Sequence, residues 1–303
     1  MELRHLRYFV QVAEDLHFAR AAARLGISQP PLSQQIRQLE DELGVRLLDR
    51  TSRRVSLTRA GTAFLDAARR VLVEADKAAL TARRLGSGEC GELRVGFNAS
   101  APFIPQVATA IHTYRLRYPD VQLVLSEMVG PVQVEAILGD ALDVGFLRST
   151  TPPSLPSELV ASRILCERFV VATRPDHPLA GRSGLRLADA AAHPLVVYAN
   201  DRSGGFTDEL FALMRVAGTE PRIAQTVREV STLLGLVAAG VGITVVAESL
   251  CALQSAGLVY TPLLDDHAES AIWLIHALTC ARTATNFTTI VQGGAAPAGQ
   301  DMV

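Results

Sequence analysis

Residues 18–50 read FARAAARLGISQPPLSQQIRQLEDELGVRLLDR, a stretch that predicts two helices joined by a tight turn. In the first helix Ala21, Ala22 and Leu25 share one side, where small side chains let a second helix cross at close range. Gly26 then ends this helix, because glycine tolerates the left-handed backbone that commonly follows a helix C-terminus. Together the two helices are expected to present a polar face to something outside the protein.

The second helix is predicted to begin near Gln29. Ser28 stands at an N-cap position, and Pro30 and Pro31 fall in the first turn, where backbone N–H groups lack helical partners. The apolar residues step by four, three and four positions and form one buried stripe, consisting of Leu32, Ile36, Leu39 and Leu43. Acidic residues are held back to the far end, at 40–42.

Polar side chains occupy the opposite face of this second helix. Arginine can fork onto guanine, glutamine onto adenine, and serine can bind a base or a backbone oxygen. We therefore predict that this face contacts DNA through Ser28, Gln29, Pro30, Ser33, Gln34 and Arg37. The same pattern would arise in a compact helical core with a solvated charged face.

The next segment, LLDRTSRRVSL at residues 47–57, has two short apolar arms around a polar tip. It predicts a β-hairpin, or wing, that lies along the DNA backbone or in the minor groove. Arg50, Arg53 and Arg54 are predicted to contact DNA, since arginine neutralises phosphates and is attracted to narrow, negative grooves. This hairpin favours DNA binding over the solvated-face alternative.

Residues 58–85 predict one long helix with Thr58 as its N-cap. Small and apolar residues repeat in steps of four and three, the spacing of a two-helix coiled coil, at Phe64, Ala68, Val71, Ala75, Ala78, Ala82 and Leu85. We predict a homodimer through this seam, because so small an N-terminal domain offers no obvious surface of its own for it. Packing within one domain would give the same stripe.

Residues 86–91, GSGECG, are predicted to form a flexible hinge. They also spell G-x-G-x-x-G, but these glycines follow a helix and precede a strand, the reverse of a dinucleotide-binding turn. A linker is therefore the better interpretation.

Charge is unevenly distributed along the 303 residues. Residues 1–88 contain 15 Lys and Arg against 10 Asp and Glu, a net charge of +5, whereas the remainder carries −7. A dimer doubles the positive excess, which favours phosphate contact and makes affinity fall with salt. Ordinary scatter in surface charge is the alternative explanation.

The cysteines and the N-terminal residues argue against a disulfide-bonded, a zinc-binding and a membrane protein. Cys90, Cys166, Cys251 and Cys280 are widely spaced without a C-x-x-C pair, which indicates neither a disulfide framework nor a zinc site; a redox-sensing pair is the alternative. Charged residues interrupt the first apolar stretch, and no apolar run is long enough to span a bilayer. We expect a cytoplasmic protein without a membrane partner.

The sequence contains no G-x-S-x-G, H-E-x-x-H or P-loop motif, and its seven histidines lack metal-ligand spacing. Asp176-His177-Pro178 is interpreted as a turn and not as a catalytic pair. We therefore expect no enzymatic activity, no metal and no cofactor. Residues 294–303 have the composition of a disordered tail.

Beyond the hinge, predicted strands at 93–97, 121–126, 143–147 and 195–198 alternate with helical stretches at 103–117 and 206–217. This rhythm predicts α/β layers with mainly parallel sheets, in which a ligand binds beyond the carboxyl ends of the strands. Asn98, Ala99 and Ser100 follow the first strand and are predicted to bind a ligand, with Ser100 as the leading contact. For this serine a plain helix cap is the alternative.

The order of these motifs resembles that of the LysR-type transcriptional regulators. The matching pieces of the N-terminal domain are MELRHLRYFV at 1–10, FARAA at 18–22, SQPPLS at 28–33 and LTRAG at 57–61. Further pieces follow in the order expected of the family's effector domain, at 105, 118–119, 139–145, 177–179 and 240–243. The resemblance covers nearly the whole chain.

The resemblance implies a winged helix-turn-helix at 1–58, a linker helix and hinge at 59–90, and a two-lobed, periplasmic-binding-protein-like effector domain at 91–293. Lobe I would comprise 91–162 and 268–293, and lobe II 163–267. The implied function is a sequence-specific, ligand-responsive regulator that binds promoter DNA as a dimer of dimers and contacts RNA polymerase. The resemblance is closest to regulators of aromatic catabolism, which respond to small aromatic or muconate-like acids.

By the same resemblance, the effector cleft is lined by Gly130, Pro131, Arg148, Phe206, Val227 and Glu229. Many relatives carry a hydroxyl where Gly130 and Pro131 stand, so the expectation of one ligand hydrogen bond does not carry over to these positions. Arg148 either holds an anion or pairs with Glu229. The rival functions are a small-molecule binding protein with only non-specific DNA contact and, more distantly, a hydrolase.

Overall fold

The computed structural model describes residues 1–50, 54–199 and 206–294. The chain forms two compact units whose boundary lies between Arg84 and Leu85.

The first unit is a three-helix bundle with a hairpin and the start of a long helix. Its elements are α1 (Leu3–Asp15), α2 (Phe18–Leu25), α3 (Gln29–Leu43), β1 (Leu48–Arg50), β2 (Val55–Leu57) and α4 (Arg59–Ser87). Strands β1 and β2 pair antiparallel, with Leu48 opposite Leu57 and Arg50 opposite Val55. The predicted winged helix-turn-helix is confirmed.

The predicted turn between α2 and α3 is also confirmed. Gly26 ends α2 with φ +68°, and Ser28 is the N-cap of α3. Leu32, Ile36 and Leu39 are completely buried in the core of the unit. Leu43, the fourth member of the predicted stripe, is 37% exposed, because it occupies the last position of α3, beyond the surface that the other helices cover.

The start of α4 is locked against the root of the wing. Thr58 caps the helix by accepting a hydrogen bond from Gly61 N at 2.9 Å, and its own hydroxyl donates to the carbonyls of Arg46 and Leu47. Gly61 packs so closely that a Cβ atom placed there would lie 1.9 Å from the carbonyl oxygen of Leu47. This position accepts no side chain without a shift of backbone.

The seam predicted along α4 divides into two parts. Ala68 is buried in the core of the first unit, and Phe64 packs edge-on against Phe9 with ring centroids 5.2 Å apart, so this end of the stripe is used within one chain. Farther along, Val71 and Leu85 are 46% and 55% exposed. Only this exposed stretch is available for a partner helix.

The hinge predicted at 86–91 is shorter and more constrained than its composition indicates. Residues 86 and 87 belong to α4, and residues 90 and 91 belong to the first strand of the second unit. Gly88, with φ +70°, lies against the backbone of Arg282, while the Asn286 amide donates to the carbonyls of Ser87 and Gly88. These contacts hold the segment to the unit that follows.

The second unit alternates strands and helices as predicted. Its strands are β3 (Cys90–Phe97), β4 (Asp120–Glu127), β5 (Val144–Ser149), β6 (Leu159–Thr173), β7 (Pro194–Tyr198), β8 (Arg222–Val227), β9 (Thr244–Ala247), β10 (Val259–Pro262) and β11 (Glu269–Ala277). Its α-helices are α5 (Pro105–Arg117), α6 (Gly130–Leu138), α7 (Leu187–Ala191), α8 (Phe206–Val216), α9 (Val230–Ala238) and α10 (Arg282–Gly294), and two 3₁₀ turns span Ala101–Phe103 and Glu248–Leu253.

One seven-stranded sheet runs through this unit in the order β10-β6-β11-β5-β3-β4, with β9 also paired to β6. Among its described strands parallel pairing is limited to β3–β4 and β3–β5, and the pairs that involve β6 or β11 are antiparallel. Strands β7 and β8 form a separate two-stranded sheet that is parallel, but for the seven-stranded sheet the expectation of mainly parallel strands is wrong. The cause is that the returning strand β11 is inserted between β5 and β6.

The sheet supports two lobes with separate cores. The first lobe packs α5 and α10 around Val95, Phe146 and Phe287, and the second packs α7 and α8 around Phe169 and Leu195. Strand β6 belongs to both lobes, because its first part pairs with β11 and its last residues pair with β9 and β10. The two lobes are therefore joined by this one continuous strand.

The structure also bears on the predicted turn at Asp176, the cysteines, the membrane and metal expectations and the C-terminal residues. Residues 174–180 form a turn, as predicted for Asp176-His177-Pro178. The four cysteines carry free thiols, of which Cys166 is exposed. In the described ranges no helix is long and apolar enough to cross a membrane, and no three His, Cys, Asp or Glu side chains gather as a metal site would need. The tail predicted at 294–303 lies outside the described residues except for Gly294, which ends α10.

We predict that Gly61→Ala destabilises the first unit. Alanine is intrinsically better than glycine in a helix by roughly 1 kcal/mol, but here its methyl group would overlap the Leu47 carbonyl, and such overpacking costs about 1–3 kcal/mol. Thermal unfolding followed by circular dichroism measures the change.

The matched control is Gly86→Ala, in the same helix but with no atom within 4 Å of its would-be Cβ. This variant is expected to unfold no earlier than the wild type. Equal midpoints for the two variants would contradict the close packing at Gly61.

Candidate DNA-binding and effector sites

The polar face predicted on α3 is solvent-accessible in the first unit. Ser28, Gln29, Pro30, Gln34 and Arg37 are exposed, and Ser33 is half-buried. Although Ser28 holds the N-cap position, its hydroxyl makes no capping hydrogen bond. The face therefore presents hydroxyl, amide and guanidinium groups on a single rigid helix.

The wing arginines occupy different environments. Arg53 lies outside the described residues, and Arg54 is an exposed residue that directly precedes β2. Arg50 is only 25% exposed: its guanidinium forms an ion pair with Glu40 at 2.6 Å and lies 4.9 Å from the ring centre of Phe18. Burial lowers the pKa of Arg50, with Glu40 acting in the opposite direction. Arg50 thus has a structural role that the sequence did not reveal.

Glu40 is the second residue of this region that sequence reasoning missed. Its carboxylate accepts hydrogen bonds from Leu47 N at 2.9 Å and Leu48 N at 3.0 Å, in addition to the Arg50 pair. Its position near the end of α3 indicates only an acidic residue away from the predicted DNA contacts. The sequence pattern that could have identified Glu40 is its helical spacing: it lies four positions after Ile36 and directly after Leu39, so its carboxylate borders the buried side of α3.

In the second unit, Ser100 and Arg148 meet as the strand ends suggested. Arg148, whose side chain is 4% exposed, donates from Nε to Ser100 Oγ at 2.9 Å and from Nη1 to Ser270 Oγ at 2.7 Å. The Ser100 hydroxyl makes no capping hydrogen bond, so the alternative that Ser100 is only a helix cap is wrong. Instead it accepts from Arg148 and from the Asn98 amide at 3.0 Å.

The carboxylate that pairs with Arg148 is Glu167, and the alternative pairing with Glu229 is wrong. Glu167 lies on β6, which reaches Arg148 on β5 through the intervening strand β11. Glu229 is instead an exposed residue at the N-cap of α9. Burial lowers the pKa of Arg148, and Glu167 opposes this effect by stabilising the charged guanidinium.

The second lobe contributes donors and a second carboxylate to the same region. Ser249 donates its N–H and its hydroxyl to Glu167, at 2.6 and 3.0 Å. Glu209, in the first turn of α8, accepts from Ser149 Oγ at 3.0 Å and Thr150 N at 2.8 Å, and burial raises its pKa. Neither Glu167 nor Glu209 was identified from the sequence, because both reach the site from distant segments.

Tyr198 is a further residue of this region, at the end of β7. Its pKa is raised by burial, with the charges of Glu127 and Glu229 adding to the effect and that of Arg148 opposing it. Asn98 leaves its side-chain carbonyl oxygen buried without a protein partner among the described residues. We call the region around Arg148, Ser100 and Glu167 the lobe junction. It offers both hydroxyl groups and an unsatisfied acceptor.

The remaining predicted contacts are placed as follows. Gly130 and Pro131 start α6, and a Cβ at Gly130 would lie 3.3 Å from a methyl carbon of Leu147. Phe206, the first residue of α8, packs edge-on against Phe169 with ring centroids 5.2 Å apart. Val227 is buried at the end of β8, whereas Ala99 lies half-buried after β3.

Both halves of the chain match families of bacterial regulators. Residues 3–62 match "Bacterial regulatory helix-turn-helix protein, lysR family", and residues 86–285 match "LysR substrate binding domain". Among curated proteins, the uncharacterised HTH-type transcriptional regulator YnfL of Escherichia coli is 45% identical over 275 residues, which cover 91% of this chain and 92% of YnfL.

Two solved structures bear on the two candidate sites. Full-length CbnR complexed with its target DNA has a TM-score of 0.80 and 31% identity, and the match covers 98% of this chain and 100% of that one. The effector-binding domain of BenM with its effector benzoate has a TM-score of 0.61 and 28% identity, over 70% of this chain and 98% of that one.

The winged helix-turn-helix, the two-lobed second unit and these matches along nearly the entire length lead to one conclusion. The chain belongs to the LysR family of DNA-binding transcriptional regulators, proteins that are not enzymes and whose promoter binding is modulated by a small-molecule effector.

Proposed function

We propose that this regulator reads its promoter sites with the exposed face of α3 and steadies the complex with the wing. Base contacts are assigned to Gln29, Pro30, Ser33, Gln34 and Arg37, with Ser28 on the backbone at the helix start. Arg53 and Arg54 are assigned to phosphates or the minor groove. Arg50, which the sequence had placed with them, is assigned chiefly to holding the wing, since its guanidinium is already paired with Glu40.

Arg37→Ala tests the assignment of base contacts. If Arg37 touches a base, specific affinity should fall by about 1–3 kcal/mol and selectivity at one position of the site should relax. Competition between duplexes in a binding assay measures both quantities.

Arg115→Ala, an exposed arginine of α5, is the charge-matched control and should leave DNA affinity unchanged. Uniform weakening of Arg37→Ala on every duplex would assign the residue to phosphate instead.

We further propose that the effector is a small aromatic or dicarboxylic acid that binds at the lobe junction. The supporting observation is the buried cluster around Arg148, where the hydroxyls of Ser100 and Ser270 accept from the guanidinium and keep their own hydrogens to donate to a carboxylate. Phe206 would pack against the apolar body of the ligand. Benzoate, the effector of BenM, belongs to this chemical class.

We propose that effector binding is coupled to DNA binding; the supporting observation is that strand β6 is shared by the two lobes and so links their arrangement. An effector that binds two arrangements of the lobes unequally shifts their populations. We propose that this shift changes the spacing of the DNA-binding heads. The same proposal includes lobe I at 91–162 and 268–293 and lobe II at 163–267. It also includes contact with RNA polymerase and a location in the cytoplasm.

Ser100→Ala tests the effector site. The full-length protein is screened by thermal shift against benzoate and muconate, and the acid that stabilises the wild type is titrated on the variant. Loss of one hydrogen bond to a carboxylate should weaken binding about tenfold.

Ser157→Ala, an exposed serine next to Glu158, is the control and should bind the acid as the wild type does. Equal affinities for wild type and Ser100→Ala would remove Ser100 from the site.

We propose that the protein dimerises through the exposed part of α4 and assembles as a dimer of dimers. The supporting observation is that apolar side chains of the predicted seam remain exposed from Val71 onwards. Exposed apolar stripes at coiled-coil spacing are most stable when a second helix covers them.

Val71→Glu should reduce the molecular mass in solution at micromolar concentration, because it places a carboxylate in the seam. Val73→Glu is the matched control: Val73 is 51% exposed on the opposite face of α4, so its variant should keep the wild-type mass. Sedimentation equilibrium distinguishes them. A wild-type monomer, or dissociation by the control alone, would contradict the predicted seam.

A further inference from the structure

Glu40 connects the recognition helix to the root of the wing. One carboxylate oxygen, Oε1, accepts from the backbone N–H groups of Leu47 and Leu48, and the other accepts from the guanidinium of Arg50. The carboxylate is 11% exposed, so these bonds are largely shielded from water. Charge-assisted hydrogen bonds of this kind are among the strongest that a protein makes.

The connection extends through Arg50 to the whole hairpin. The guanidinium that pairs with Glu40 also stacks on Phe18 at the start of α2, so β1 is fixed to both helices of the helix-turn-helix. Across the hairpin Arg50 is opposite Val55, the residue that directly follows Arg54. A shift of β1 would therefore carry Arg54 with it.

Electrostatics alone would give Glu40 the opposite effect on DNA binding. Glu40 shares a cleft with Arg37, Arg46 and Arg50, and a carboxylate among these arginines reduces the positive potential that attracts phosphate. Glu40 can raise DNA affinity only if the gain from holding the wing in position exceeds the loss from its repulsion of phosphate.

We propose that Glu40 is a positioning residue for DNA recognition, which sets the place of the wing relative to α3 and thereby raises DNA affinity despite its negative charge. The inference rests on the proposed contact of the wing with DNA. It predicts that removal of this negative charge weakens binding, whereas the electrostatic effect predicts tighter binding.

The test is Glu40→Gln in the full-length protein. Glutamine keeps one acceptor for the N–H groups of Leu47 and Leu48 but turns an amide N–H₂ towards Arg50, so that two donors face each other. Affinity is measured by fluorescence anisotropy on a duplex that the wild type enriches from a random pool. The expected loss is about tenfold, the value of one charge-assisted hydrogen bond.

Asp41→Asn is the matched control, since it removes the same charge from the adjacent, exposed position of α3. Its affinity should stay within about twofold of the wild type or increase, as expected for an exposed charge. Binding by Glu40→Gln that is unchanged or tighter would overturn the proposal.

Coupling to the wing separates positioning from a general loss of stability. Arg54→Ala should weaken binding in the wild type and weaken it less in the Glu40→Gln background, because the misplaced wing has already lost its contact. Equal losses in both backgrounds would overturn the proposal. If Arg54→Ala has no effect in the wild type, the wing contact of the proposed function fails, and the role of Glu40 fails with it.

A second variant covers the case in which Glu40→Gln unfolds at the assay temperature. Arg50→Lys keeps the charge but loses the forked geometry that pairs with Glu40 and stacks on Phe18. It should show the same reduced effect of Arg54→Ala, with an unfolding curve close to the wild type. Undiminished coupling in this variant would also overturn the proposal.

Discussion

An arginine that is taken out of water must keep its charge and must therefore be surrounded by acceptors, and this constraint shapes both units. In the first unit Arg50 is paired with Glu40, and in the second Arg148 is paired with Glu167. A buried pair of this kind adds little net stability, because desolvation offsets the attraction, but breaking it by removing one partner is costly. Each pair therefore specifies which segments must meet.

The segments that these pairs join are distant in sequence. Glu40 links the hairpin β1–β2 to α3, and Glu167 links β6 to β5 across the intervening strand β11. One arginine lies at the root of the wing, and the other lies where the two lobes meet. In both places the pairing restricts how the surrounding elements can be arranged, which is what recognition of DNA or of a small-molecule effector requires.

The sequence was most informative where the physical signal is local. Gly26 and Ser28 mark the boundaries of two helices through backbone conformation alone, and Thr58 does the same for α4. The exposed face of α3 followed from helical periodicity. Leu43 was misplaced because periodicity does not show how far a neighbouring helix extends.

The sequence was least informative where pairing depends on sheet order. Nothing near Arg148 indicates that β11 is inserted beside β5 and brings β6 within reach, so Glu229 was a plausible but wrong partner. The same limitation explains why Glu209 was missed. The hinge was misjudged for a related reason, since Asn286 fixes Ser87 and Gly88 from almost two hundred residues away.

Strand β6 has a consequence for how the lobes can move. Its fifteen residues pass from one lobe to the other within hydrogen-bonded sheet, and β11 beside it changes register between Ile272 and Trp273. Such a bulge bends and twists a strand locally. The register leaves Ile164 of β6 as the extra residue, so the strand that connects the lobes already bends there, and any change in their arrangement has to deform these paired strands.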